Sequence, residues 1–111
     1  MHKQLTIDVF KQDLDLRGNV AESANASIPA LAKLAHDDWE VRCCVARGPN
    51  TPITLLERLA LDENCHVRCN VAENVNTPDL TIKELARDER HMVQQAIQHR
   101  AWAMQRSKKR N

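Results

Sequence analysis

The sequence predicts an all-α fold built from about three consecutive units of roughly 25 residues, each containing two helical segments. Three observations lead to this prediction. Ala, Leu and Val dominate the apolar residues and only 2 glycines are present, a composition that favours helix over sheet. One sequence segment recurs along the chain. Within each copy the apolar residues lie three and four positions apart, as they do on one face of a helix.

The recurring segment becomes visible when residues 16–37, 41–62 and 67–88 are aligned, as LRGNVAESANASIPALAKLAHD, VRCCVARGPNTPITLLERLALD and VRCNVAENVNTPDLTIKELARD. A fourth copy begins at Met92 as MVQQAIQHR. In the first helix, two apolar columns four residues apart hold Leu16/Val20, Val41/Val45, Val67/Val71 and Met92/Ala96. Small alanines follow, at which a neighbouring helix can approach closely: Ala21, Ala46 and Ala72. The buried stripe of the second helix is predicted at Leu31, Leu56, Ile82, Leu34, Leu59 and Leu85.

Polar residues mark the helix boundaries. Asparagines that tolerate left-handed geometry are predicted to end the first helices, at Asn25, Asn50 and Asn76. Thr51-Pro52 and Thr77-Pro78 are predicted to begin the second helices with an N-cap hydroxyl and a proline, and Ser27 takes the capping role in the first unit. The aspartates that close the units, Asp37, Asp62 and Asp88, are predicted to cap the next helix, and Gly18 and Gly48 to lie in turns.

Two short helices cannot bury their apolar stripes alone, so the units are predicted to stack into one α-solenoid domain over residues 1–111. Residues 1–15 form the N-terminal cap, with a helix over 6–14, and the repeats cover 16–40, 41–66 and 67–91. Residues 92–105 are a degenerate repeat and C-terminal cap, in which Trp102 and Met104 close the stack. Residues 106–111 form a frayed basic tail.

These repeats resemble the leucine-rich repeat variant family, whose units read roughly V-R-x-x-V-A-x-N-P-x-T-P-x-x-L-L-x-x-L-A-x-D. The resemblance covers residues 16–97, and residues 41–62 match almost position by position. It implies a right-handed superhelix in which one helix of each pair is shorter and 3₁₀-like. Some family members carry an iron–sulfur cluster in a cysteine-rich N-terminal extension. Residues 1–15 are instead expected to form a plain capping helix, so no cofactor is expected.

Arg17, Arg42 and Arg68 occupy one column of the first helix in successive units. Stacked helices lie about 10 Å apart, so the guanidiniums could form a positive stripe that binds phosphates or an acidic peptide. Alternatively, each arginine pairs with the aspartate column and its stem covers apolar surface. This pairing is the favoured interpretation, because the arginine belongs to the family pattern. Further binding candidates are exposed positions of the second helices: Lys33, Arg58 and Lys83.

The four cysteines are expected to be free thiols, since the chain lacks a Cys-x-x-Cys pair and buried free cysteine is a common small core residue. Cys43 and Cys69 share a column, and a separation of one unit exceeds the ~7 Å Cα limit for a disulfide. In the alternative interpretation, Cys65 and Cys69 lie four residues apart on a helix and bind one metal ion. Cys44 or His91 would complete that ligand set.

Nothing in the sequence points to catalysis, and the chain is predicted not to be an enzyme. The histidines lie near the unit junctions and are expected on the solvated surface, at His36, His66, His91 and His99. No Gly-rich phosphate loop, nucleophile elbow or zinc-protease helix is present in the sequence.

The net charge is +1, but it is unevenly distributed. Five basic residues and no acid follow from Arg100 onward, which leaves −4 for the rest of the chain. Nucleic acid could be bound by this tail, through Arg106, Lys108, Lys109 and Arg110, together with the arginine column. The alternative is a solubilising end, because a dedicated nucleic-acid binder usually carries a basic face on the fold itself.

The leading functional hypothesis is a non-catalytic protein-binding module, an adaptor or inhibitor that presents a solenoid surface to a partner protein. Nucleic-acid binding is the first alternative, and a metal- or iron–sulfur-carrying repeat protein is the second. No apolar run approaches the roughly 18 residues that cross a membrane. The N-terminus also lacks the apolar stretch of a signal peptide. A cytoplasmic protein without a membrane partner is therefore expected.

Overall fold

The computed structural model describes residues 13–110, and the side chains of residues 13–106. The predicted capping helix over residues 6–14 therefore lies outside the described residues except for its last two positions. The side chains of the basic tail beyond Arg106 lie outside them as well.

The described chain is entirely helical, with seven helices and no strand between residues 13 and 110, so the all-α prediction is confirmed. None of these helices is long and apolar enough to span a lipid bilayer. The first helix, α1, covers residues 13–22 of the described part. The others are α2 (Ile28–Leu34), α3 (Trp39–Arg47), α4 (Ile53–Leu59), α5 (Cys65–Glu73), α6 (Asp79–Leu85) and α7 (His91–Arg110).

The longer helices of successive units lie side by side, with α5 between α3 and α7. Each shorter helix, α4 or α6, contacts the longer helix of its own unit and that of the next. The predicted apolar columns are buried in the second and third units, at Val41, Val45, Val67 and Val71. The alanine column is buried too, and in the shorter helices Leu31 and Leu56 are fully buried. Each such Val or Leu contributes about 1.5–3 kcal/mol by leaving water.

The first unit departs from this pattern at its two column positions. Leu16 is 63% exposed and Val20 is 47% exposed, although Ala21 in the same helix is buried. Among the described residues, no helix pair precedes α1 that would cover this side of the helix. Leu16 and Val20 thus occupy the predicted columns without being buried.

The register of the last unit also differs from the predicted one. Val93 is fully buried, whereas Met92 is 38% exposed, so Val93 continues the column of Val41 and Val67. The turn after Asp88 contains one residue more than the turn after Asp37, and this extra residue moves the column by one position. Gln94 consequently takes the arginine position, and its Nε2 donates to the Asp88 carbonyl over 2.9 Å.

The shorter helices are α-helical over seven residues, which contradicts the 3₁₀-like geometry that the family resemblance implies. Their backbone bonds run four residues back, as in the 2.9 Å bond from the Ala60 N–H to the Leu56 carbonyl. Bonds that run three residues back occur at the helix ends, as between Leu55 and Pro52 at the start of α4 and between Leu61 and Arg58 after its end. Ser27 caps α2 as predicted, because its hydroxyl accepts from the Ala30 N–H over 3.3 Å.

The threonines do not cap the helices that follow them, so this prediction is wrong. The Thr51 hydroxyl donates back to the Val45 carbonyl over 2.5 Å, and that of Thr77 donates to the Val71 carbonyl over 2.6 Å. Both threonines are buried beneath the turn, where a free carbonyl at the end of the longer helix needs a donor. The prolines after them occupy the N-cap positions of α4 and α6.

The asparagine column joins neighbouring units and does not end the helices in a left-handed conformation. No residue of the described part has a positive φ, and α3 and α5 end before Asn50 and Asn76 are reached. The Asn50 amide instead donates to the Ala24 carbonyl, and the Asn76 amide donates to the Pro49 carbonyl over 3.1 Å. Both acceptors occupy the same position in successive units.

A second asparagine adds to these bonds between units. The buried Asn74 amide donates to the Ala46 carbonyl over 2.8 Å and to the Gly48 carbonyl over 3.1 Å. One unit later, Arg100 bonds the Asn74 and Thr77 carbonyls in the same way. The turn carbonyls of each unit are therefore satisfied by side chains of the next unit, as buried backbone groups require.

Both glycines lie where two segments of the chain approach each other closely. Gly48 lies in the turn after α3, as predicted, and a Cβ atom there would lie 2.6 Å from the Ala21 carbonyl oxygen. Gly18 lies within α1 and not in a turn, which corrects the prediction. A Cβ atom at Gly18 would lie 2.9 Å from the Cys44 sulfur, so its absence allows the second unit to pack against the first.

Candidate functional site

The arginine column bonds successive units together. The Arg42 guanidinium donates to both carboxylate oxygens of Asp62, over 2.8 and 3.0 Å, and to the Asp37 carbonyl over 2.8 Å. Arg68 repeats the arrangement with the Asp88 carboxylate, over 2.6 and 3.3 Å, and with the Asp62 carbonyl over 2.7 Å. The predicted pairing of the arginine and aspartate columns is therefore confirmed for these two units.

In the first unit the same pairing is looser. Arg17 Nε lies 2.9 Å from Asp37 Oδ2, an ion-pair distance, although its N–H is not directed at that oxygen. The Arg17 guanidinium also contacts Asp13, and it lies 3.9 Å from the Asp38 carboxylate. Three acids thus surround this arginine.

The electrostatics of the column follow from these bonds. Hydrogen bonding to Asp62 raises the pKa of Arg42, and hydrogen bonding to Asp88 raises that of Arg68. The Arg68 hydrogen bond, helped by the Arg90 N–H, lowers the pKa of Asp88 against the opposing effect of burial. These guanidiniums are already neutralised and bonded, so the column does not offer the free positive stripe that phosphate binding would need.

The aspartates of this column also organise the turns. Asp62 Oδ1 accepts from the Asn64 N–H, and Asp88 Oδ1 accepts from the Arg90 N–H, each over 2.9 Å. The prediction that these aspartates cap the next helix is wrong, because neither of them is an N-cap residue. That position before α5 belongs to Asn64, whose side chain accepts from the His66 N–H over 2.8 Å.

Two equivalent clefts open along the edge where the arginine–aspartate pairs lie, with volumes of about 480 and 320 Å³. Seven of the eight lining residues of each cleft correspond, one unit apart. The equivalent pairs are Ala35 and Ala60, His36 and Leu61, Arg42 and Arg68, Arg58 and Glu84, Leu59 and Leu85, Leu61 and Arg87, and Asp62 and Asp88. The cleft formed by the first members is termed cleft 1, and that formed by the second members is termed cleft 2.

The two clefts share a floor but differ in their walls. The floor of each consists of an alanine, a leucine and the bonded arginine–aspartate pair. The walls of cleft 1 carry His36 and Arg58, whose Nη2 lies 3.3 Å from His36 Nδ1, and Leu61, which is 80% exposed. Cleft 2 has Leu61, Glu84 and Arg87 at the positions of His36, Arg58 and Leu61, so Leu61 lines both clefts. Each cleft can therefore select a different side chain.

A third cleft, of about 510 Å³, continues cleft 1 towards the start of α3 and shares His36, Arg42 and Glu63 with it. Trp39 forms its apolar wall, with 42% of the residue exposed and its ring 5.6 Å from the His66 ring. We refer to this part as the Trp39 cleft. It is open to solvent and lined mostly by polar groups, among them Asp38 and Asn64.

The predicted binding residues of the shorter helices are separated by these clefts. Lys33, Arg58 and Lys83 are all exposed, but only Arg58 lines a cleft described above. Sequence reasoning did not identify Trp39, His36 or Leu61 as site residues. The sequence does contain a signal for them, namely variation between units at one aligned position. Trp39, for example, stands where the next two units have Cys65 and His91.

The four cysteines are free thiols, with Cys43 buried and the other three half-buried. Within residues 13–106, no three His, Cys, Asp or Glu side chains come together as a metal-binding group, so Cys44, Cys65 and Cys69 are not gathered as a ligand set. Burial raises the pKa of Cys43 and Cys44, and raises that of Cys69 to about 11. These three thiols are therefore protonated at neutral pH and poor nucleophiles.

The remaining predicted residues lie on the surface. All four histidines near the unit junctions are exposed, as expected. Helix α7 continues to Arg110, so residues 106–110 are helical and not frayed, which corrects the prediction. Trp102 and Met104 are 56% and 41% exposed and do not close the stack. The reason is that α5, against which α7 packs, ends at Glu73, so the second half of α7 extends past it.

Comparisons of the chain with protein-family models, curated proteins and solved structures found no match.

Proposed function

We propose that this chain is a non-catalytic protein-binding module that holds an extended segment of a partner protein along the Trp39 cleft, cleft 1 and cleft 2. The observation that carries the proposal is the equivalence of clefts 1 and 2, whose linings recur one unit apart. Because the floors match and the walls differ, successive clefts suit successive side chains of one extended peptide. An adaptor or an inhibitor would use the same surface.

The proposal includes a short α-solenoid architecture of right-handed superhelical form, as the resemblance to the leucine-rich repeat variant family implies. Recurrent bonds between units support it, because the Arg42 and Arg68 bonds and the Asn50 and Asn76 bonds repeat at the same positions. Stacked repeats present long binding surfaces whose residues can change without disturbing the core. A cytoplasmic location fits the free thiols, which stay reduced there.

A binding role is favoured over catalysis by the state of the reactive groups. The pKa of Cys69 is raised to about 11, and the carboxylates of Asp62 and Asp88 are each bonded to an arginine. A protonated thiol is a poor nucleophile, and a carboxylate whose oxygens are bonded to a guanidinium is not free to exchange a proton with a substrate. The exposed Trp39 and Arg58 are side chains of the kinds that supply most of the binding energy at protein interfaces.

The test is a selection from a random peptide library with the whole protein, followed by affinity measurement of the selected peptides. We expect Arg58→Glu, which places in cleft 1 the residue type that cleft 2 has at the equivalent position, Glu84, to weaken binding by about tenfold, equivalent to ~1.4 kcal/mol. Lys33→Glu is the matched control, since Lys33 has the equivalent position on α2 and lines neither cleft. Equal losses in the two variants, or a selection that yields no binding peptide, would contradict the proposal.

A further inference from the structure

The second half of α7 differs from the rest of the molecule in exposure and charge. Every residue from Ala101 to Arg106 is exposed. From Arg100 onward the sequence contains five basic residues and no acid, whereas the rest of the chain carries −4. The Arg100 guanidinium keeps its charge but is held by the Asn74 and Thr77 carbonyls, and four further basic residues follow it in the sequence.

An exposed stack of flat groups lies on one face of this segment. The His99 and Trp102 rings have centroids 6.3 Å apart and planes inclined by 29°. On the other side along the helix, the Arg106 guanidinium lies over the indole, 5.2 Å from its centroid. These residues are three and four positions apart, a spacing that places them on the same helix face. Trp102 is 56% exposed, and a base can reach the indole face by taking the place of the Arg106 guanidinium, which is then available to a phosphate.

We propose that the second half of α7 binds single-stranded nucleic acid, with a base stacked on Trp102 and with Arg106 and the later basic residues bound to phosphates. Stacking on an accessible aromatic ring beside a cation, within a basic segment, is how single strands are bound without sequence preference. The arginine column takes no part, because Arg42 and Arg68 are bonded to aspartates. This surface is separate from the clefts and goes beyond the proposed function.

Two other anionic partners fit the segment less well. A lipid surface requires one broad apolar face on the helix. Here the apolar residues are consecutive, from Ala101 to Met104, so they are distributed around the whole helix. An acidic peptide would neutralise the cations but would gain little from the stack of His99, Trp102 and Arg106. Single-stranded nucleic acid matches both features, because it combines phosphate charge with flat bases.

The first experiment uses the full chain with Trp39→Phe, which leaves Trp102 as the sole tryptophan of the two in the sequence. Titration with a short oligothymidylate is expected to quench Trp102 emission without a blue shift, because the base stacks on the indole and does not bury it in an apolar phase. The affinity should fall as salt rises, with a log–log slope of about −3 for four phosphate contacts.

Variants of the full chain separate stacking from plain charge attraction, with binding measured by anisotropy of a labelled oligothymidylate. Trp102→Ala is expected to weaken binding about tenfold, the loss of one stacked base. Met104→Ala is the matched control, since Met104 is exposed on the same helix outside the stack, and it should leave the affinity nearly unchanged. Because residues 101–106 are exposed, both variants should fold, which circular dichroism checks.

Three outcomes would overturn this inference. The first is the absence of oligothymidylate binding at low salt. The second is equal loss in Trp102→Ala and Met104→Ala, or equal binding of polyglutamate, either of which would reduce the effect to charge alone. The third is a blue shift of Trp102 with phosphatidylserine vesicles together with no response to the oligonucleotide, which would assign the segment to a membrane surface. None of these results bears on peptide binding at the clefts.

Discussion

The Arg68–Asp88 pair is the clearest case in which one side chain holds two units together. Arg68 reaches the Asp88 carboxylate at the end of its own unit and the Asp62 carbonyl of the unit before. Both partners are largely buried, with 16% and 12% of their side chains exposed. A pair in this position is costly to break, because removing one partner leaves the other desolvated and without its counter-charge.

Asp88→Asn is therefore expected to lower the free energy of unfolding at neutral pH by about 2 kcal/mol, somewhat less than for a fully buried pair. The pKa of Asp88 is lower in the folded protein than in the unfolded chain, mainly because of the Arg68 hydrogen bond. Its contribution is thus fully present above the unfolded pKa of about 3.9 and is lost as the pH falls through the folded pKa. Urea unfolding at several pH values should show a weaker acid dependence in Asp88→Asn.

Glu22→Gln is the matched control for this prediction. Glu22 also bonds an arginine of the neighbouring unit, with a distance of 2.8 Å to Arg47, but the two side chains are 40% and 47% exposed. Solvent screens such a pair, so its loss should cost less than about 0.5 kcal/mol. If Glu22→Gln lowered the free energy of unfolding as much as Asp88→Asn, burial could not be the reason that the arginine–aspartate pairs stabilise the fold.

Among the helices, α7 is the one whose placement depends on a single residue of register. Val93 is fully buried against the body, whereas Met92 is 38% exposed. Val93→Ala should lower the free energy of unfolding by about 2 kcal/mol, since it removes two methyl groups and leaves a cavity. Met92→Ala should cost less than about 0.5 kcal/mol, as exposed positions do. Thermal unfolding of the two variants measures this difference in stability. A larger loss in Met92→Ala than in Val93→Ala would support the register predicted from sequence, with Met92 in the buried column.

The same contrast explains how far the sequence could predict these elements. Apolar periodicity is a local property of a helix, so the buried positions Val41, Val67 and Leu56 and the cap at Ser27 follow from the sequence. The register at Val93 is set by the turn after Asp88, where no helical periodicity exists. Asp88 and Val93 have the same spacing as Asp62 and Val67, so turn length, and not the apolar pattern, was the signal for this register.

Polar side chains were harder to predict for a related reason. Thr51 and Ser27 lie near the start of a shorter helix, yet the Ser27 hydroxyl caps α2 and the Thr51 hydroxyl donates back to the Val45 carbonyl. Ser27 directly precedes α2, whereas Pro52 separates Thr51 from α4, so the two hydroxyls meet different backbone groups. The clefts depend even more on tertiary placement, because Arg58 and His36 belong to different units and meet only after the units stack.

At the scale of the whole molecule, the stability of the fold and the surface of α7 should be separable. A chain that ends at Ala101 keeps Val93 and Arg100, and it loses exposed positions together with the tail. Its free energy of unfolding should therefore lie within about 0.5 kcal/mol of that of the full chain. Binding of oligothymidylate should be lost, because Trp102 and the later basic residues are gone.

A chain that ends at Glu89 provides the contrast, since it removes α7 completely. The longer helices lie side by side, so each one covers the apolar face of the helix before it, and α5 would be left uncovered at Val67 and Val71. With about 1.5–3 kcal/mol from each buried side chain, this chain should lose several kcal/mol and unfold at a much lower temperature. If the chain ending at Ala101 were destabilised to the same degree, residues 102–111 would have to contact the body, and α7 could not present a free surface to nucleic acid.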